Sequence, residues 1–148
     1  MFIVLPRPGA ARLRGRLSST LGVMKEGVAT PQLTDHERRL ALWMLEHGTV
    51  SAERYREQLA CASATLWRCP CGCASFNFKV EGLDEAPPGV NILGDYLVGD
   101  GGHQFGIFNF ESEGVLSGVE VYGLSSDAPP MLPEPEQLRP ADFNCPGR

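Results

Sequence analysis

The chain has 148 residues, 43% of them hydrophobic and 21% charged, with a formal net charge of −5. That length supports one hydrophobic core and not two ordinary domains, and the composition excludes wholesale disorder. The acidic balance excludes general nucleic-acid binding.

Charge is unevenly placed along the chain. Residues 1–23 carry Arg7, Arg12, Arg14 and Arg16 and no acid, whereas Met24 onward holds nine basic and 18 acidic residues. Between Val80 and Asp142 stand 12 acids against Arg139 alone, a local charge of −11. Such a field repels phosphate backbones and acidic membranes and attracts cations or a basic protein. It also serves solubility.

The basic leader, 1–23, is expected to lie outside the core. Its short apolar run Phe2–Leu5 precedes the arginines, the reverse of a secretory signal, and Gly9, Gly15 and Gly22 make it a poor helix. A start at Met24, a disordered tail and a targeting arm are three readings of it. No window reaches the 18 apolar residues of a membrane span, so the cytoplasm is the expected compartment.

A single domain is expected over 24–148. Thr34 with Glu37 three residues later forms a capping-box signal for a helix over about 35–47, with Leu40, Trp43, Met44 and His47 on one face and Gly48 as its stop. A second helix, about 51–62, places Tyr55, Leu59 and Ala62 together, giving a helical hairpin. The period then changes to two. Phe76, Phe78 and Val80 alternate with polar residues in a strand over about 75–82. Pro87 and Pro88 mark a connection, followed by strands at about 90–98, 103–110 and 115–122, with a bulge or bend at Gly94. Gly99–Gly102 and Glu111–Gly114 are the turns between them. A proline-rich tail over 125–148 is extended, anchored by Met131, Leu132 and Leu138. The expected fold is α+β: an N-terminal helical hairpin on an antiparallel meander of three to five strands.

Arg68-Cys69-Pro70-Cys71-Gly72-Cys73 is the densest chemical feature. Cys69 and Cys73 have usable C-x₃-C spacing, but no second cysteine knuckle follows to complete a tetrahedral zinc site. His103 and Cys145 are the candidates for a fourth ligand; His36, His47 and Cys61 are the other soft donors. Redox exchange lacks the C-x-x-C spacing and helix terminus that activate a thiol, and packing as small hydrophobes is the simplest account of the cysteines. No nucleophile elbow, phosphate loop or second zincin histidine is present, so no motif identifies an enzyme.

Leu33 through the helical region, Tyr55-Arg56-Glu57-Gln58-Leu59, Cys69-Pro70-Cys71-Gly72-Cys73-Ala74-Ser75 and Gly118-Val119-Glu120-Val121-Tyr122 resemble a group of small uncharacterised bacterial proteins. Its members have a helical start, a cysteine-glycine-cysteine turn into a strand, and a glutamate-containing strand before a proline-rich tail. The likeness covers roughly Leu33 to Pro140 and implies no activity; by type and composition alone it is similar to toxin-immunity proteins.

The expected function is therefore non-enzymatic: an acidic domain that binds or neutralises a basic protein without a cofactor. Asp95, Asp100, Glu111 and Glu113 would form the steering rim. The alternatives are a zinc-binding or thiol-dependent protein centred on Cys69, Cys71 and Cys73, and a structural homodimer through the apolar sheet face.

Overall fold

The computed structural model describes residues 29–141. The leader, Met24–Val28 and Cys145 lie outside the described residues. Among those described, no helix is long and apolar enough to cross a membrane.

Helix α1 runs from Asp35 to Glu46. Its capping box forms as expected: the Glu37 N–H donates to Thr34 Oγ1 at 3.1 Å, and the Thr34 N–H donates to Glu37 Oε2 at 2.8 Å. The buried face is Leu40, Ala41, Met44 and Leu45. It is thus rotated from the expected stripe; Trp43 is half-buried and stacks on exposed His47, ring centroids 3.9 Å apart. Gly48 follows because the chain passes close to β3 there: a Cβ would meet the Leu93 carbonyl oxygen, which accepts from the Thr49 N–H at 2.7 Å.

The second helix is shorter than expected. A 3₁₀ turn, Glu53–Tyr55, leads into α2, Arg56–Ala60, and the chain is already extended at Ala62. The strands are β1 (Ala62–Ala64), β2 (Phe76–Val80), β3 (Asn91–Val98), β4 (Phe105–Ser112), β5 (Val115–Gly123) and β6 (Arg139–Pro140). They form one six-stranded sheet in the order β1-β2-β5-β4-β3-β6, every neighbouring pair antiparallel. The count corrects the expected three to five strands. Both additions are edges: β1 emerges where a helix end was expected, β6 from the proline-rich segment. Only β3-β4-β5 is a meander. The connection 81–90 carries the chain from β2 past β5 and β4 to β3, a Greek-key crossing.

Nor is the proline-rich segment a free tail. Leu138 and Pro135 are buried, Leu132 packs against the core, and the 3₁₀ turn Pro135–Gln137 lies on α1. Met131, however, is 76% exposed and anchors nothing.

Register assigns the two sheet faces. Tyr96, Ile107 and Val121 form one inward row under α1, and the Tyr96 hydroxyl donates to the Met44 carbonyl at 2.7 Å. Asn109 points inward too, its amide buried without a partner among the described residues. The outward rows are Ile92-Phe110-Gly118-Asn77 and Asp95-Phe108-Glu120. The bulge expected near Gly94 is present between Ile92 and Gly94. At the β4–β5 turn Glu113 and Gly114 both have positive φ, 47° and 83°, as a tight two-residue hairpin requires.

Candidate metal centre

The segment 65–75 links β1 to β2 and holds the cysteines in a turn of its own. Gly72 N–H donates to the Cys69 carbonyl at 3.0 Å, with Pro70 and Cys71 at the corners. Proline presets φ for the first corner, and Gly72, at φ 82°, supplies the left-handed step that returns the chain. The loop is pinned beyond the turn, where Ala74 N–H donates to the Pro129 carbonyl at 3.0 Å. Buried Ser75 continues the β2–β5 ladder through its side chain, Oγ accepting from Val121 N–H at 2.9 Å.

The three thiols converge. Sγ atoms of Cys69, Cys71 and Cys73 all lie within 4.8 Å of one another, those of Cys69 and Cys71 3.0 Å apart. Cys71 is exposed; Cys69 and Cys73 are half-buried. The Cys73 N–H donates to Cys71 Sγ at 3.4 Å, and Cys73 Sγ lies 3.1 Å from Ser75 Oγ.

These contacts separate the thiols electrostatically. Burial resists ionisation of Cys73, but hydrogen bonds from the Ser75 hydroxyl and backbone, then from the Cys71 and Cys69 thiols, outweigh it and bring Cys73 down to about 7. Cys69 is held up at about 11, first by its side-chain hydrogen bond with Cys71. The same network thus favours ionisation of Cys73 and opposes that of Cys69.

The cluster opens onto a cleft of about 600 Å³ between the cysteine loop, the first turn of α1 and residues 130–134. His36 and Glu37 line it from α1, Met131 and Glu134 from the opposite side. The His36 Nε2 is 2.9 Å from the Pro133 carbonyl, which places the proton on Nε2 and leaves Nδ1 as the acceptor in the neutral ring. Arg39 and Glu134 are paired at 2.5 Å.

The other expected site residues lie elsewhere. His103 ends the 3₁₀ turn Gly101–His103 between β3 and β4 and does not belong to the thiol group. Asp95, Asp100, Glu111 and Glu113 do not share one rim. Asp100 and Glu113 occupy turns at opposite ends of β4, whose eight residues span roughly 26 Å. Asp95 accepts from the Tyr122 hydroxyl at 2.8 Å on the outward face. Glu111 accepts from Asn91 Nδ2 at 3.0 Å and from the Gly114 N–H at 2.7 Å, tying down the hairpin. Conversely, Ser75 was not legible as a site residue: only the sheet register places its hydroxyl beside Cys73.

No family model, curated protein or solved structure matches the chain.

Proposed function

We propose that the chain is a small zinc-binding protein whose centre is Cys69, Cys71 and Cys73. The observation that carries this reading is the convergence of three sulfurs within 4.8 Å on one turn. Tetrahedral zinc with Zn–S bonds of about 2.3 Å sets its sulfurs about 3.8 Å apart. Binding therefore requires the Cys69–Cys71 pair to open by about 0.8 Å from its 3.0 Å separation. Low-pKa Cys73 offers the first thiolate, and binding displaces the protons of the others. Cys69 and Cys73 line the same cleft as His36, Glu37 and Glu134, which would give water or a further ligand access to the centre.

Native mass spectrometry of the full chain in zinc-supplemented buffer tests this. One zinc per chain, removed by chelation and lost in Cys71→Ser, is the expected result. An apo mass with all five thiols intact overturns it.

A further inference from the structure

The outward face of the sheet carries a second cleft, of about 450 Å³, roofed by the Glu85–Gly89 part of the β2–β3 connection. Trp67, 43% exposed, and the half-buried Phe110 ring contribute its aromatic surface. Asn77 and Phe110 stand on its floor, flanking Gly118 in one outward row. A Cβ at Gly118 would stand 2.7 Å from Asn77 Oδ1 and 3.0 Å from Phe110 Cε1, so both side chains lean over the bare backbone. Glu85 is the one ionisable group among the lining residues. Among the described residues, neither its carboxylate nor the Asn77 amide has a hydrogen-bond or ion-pair partner.

We infer that this cleft binds an arginine side chain presented by a basic protein segment. A guanidinium offers a flat cationic face to Trp67 and Phe110 and a fork of N–H donors to the Glu85 carboxylate and Asn77 Oδ1. A lysine ammonium satisfies the charge but lacks the flat face and the fork. Of the charges around the cleft, Arg68, whose Nη1 donates to the Trp67 carbonyl at 2.9 Å, opposes a cation, whereas Asp95 and Glu120 on the same sheet face and the −11 of residues 80–142 attract one. An aromatic wall with an unpaired carboxylate is suited to neither phosphate nor a neutral apolar ligand. The inference does not depend on zinc.

Isothermal titration of the full chain with hexa-arginine and hexalysine at matched ionic strength tests it. Hexa-arginine is expected to bind about tenfold more tightly than hexalysine. Trp67→Ala and Glu85→Gln, both at exposed positions, are each expected to erase most of that preference. Asp100→Asn, in the remote β3–β4 turn, weakens both peptides equally and leaves the preference intact. Equal affinity for the two peptides, a preference unchanged by both cleft variants, or no hexa-arginine binding at millimolar concentration overturns the inference. So does a dimer in sedimentation that Trp67→Ala dissolves, since a second copy would then occupy the cleft.

Discussion

Cys69 and Cys73 are four residues apart and share a turn, yet their acidities diverge in opposite directions, to about 11 and about 7. The difference arises from donors: Ser75 and both neighbouring thiols stabilise the Cys73 thiolate, whereas the Cys69 thiol gives its proton to that network. In metal-free protein at pH 7, iodoacetamide is therefore expected to modify Cys73 well before Cys69, with a rate that levels off above a midpoint near 7. Ser75→Ala should move that midpoint upward by about one unit, the worth of one charge-assisted hydrogen bond. Peptide mapping of the alkylated chain reads both; equal labelling of Cys69 and Cys73 would contradict the assignment.

The segment 65–75 joins two clefts. It delivers Trp67 to the outward face of the sheet and Cys69 and Cys73 to the groove beside α1. Thr65 N–H bonded to the Asn77 carbonyl at 2.9 Å and Ala74 N–H bonded to the Pro129 carbonyl anchor its two ends, leaving the cysteine turn between them to adjust. Only Arg68 separates Cys69 from Trp67, so a backbone movement that opens the Cys69–Cys71 pair has one residue to cross. Zinc titration is expected to change Trp67 emission, complete at one equivalent. Trp43, held in its stack on His47, contributes an unchanging background. The signal should vanish in Trp67→Phe, and a zinc-saturated chain with unaltered emission would show the two clefts to be mechanically separate.

Across the whole molecule, stability should depend on pH through the buried phenols. Burial, and then the Asp95 charge, raise Tyr96 from the ordinary 10.0 to about 12, while Tyr122 rises further through burial and its hydrogen bond to Asp95. A phenol that ionises later in the folded state keeps its full contribution below pH 10, where both states are protonated. That contribution is lost as pH climbs toward 12, because the unfolded chain releases its proton first. The unfolding free energy from urea titration with chelator present should fall across this window, by on the order of 2 kcal/mol from Tyr96. Tyr96→Phe should flatten the alkaline limb and lower the neutral plateau by about 1 kcal/mol, through loss of the bond to the Met44 carbonyl. An alkaline limb unchanged by the substitution would exclude Tyr96 as its source.

Short-range signals determined much of this architecture. The capping box of α1, the alternation of Phe76, Phe78 and Val80, the Gly94 bulge and the glycine turns of the meander all act within a few residues. The α+β class follows from them, and so does the cysteine turn, since Pro70 and Gly72 close it locally. Tertiary structure decided what no local period encodes. Strands of two or three residues, such as β1 and β6, show no alternation and exist only because a neighbouring edge offers hydrogen bonds. The face of α1 turned from Trp43 to Ala41 and Leu45 because packing against the sheet, not the helical period alone, selects which stripe is buried. Crossing from β2 to β3 set Glu85 above Phe110, and docking of residues 129–138 brought Pro133 to His36. Both clefts were built by these long-range encounters, whose energy lies in contacts between segments that the sequence holds far apart.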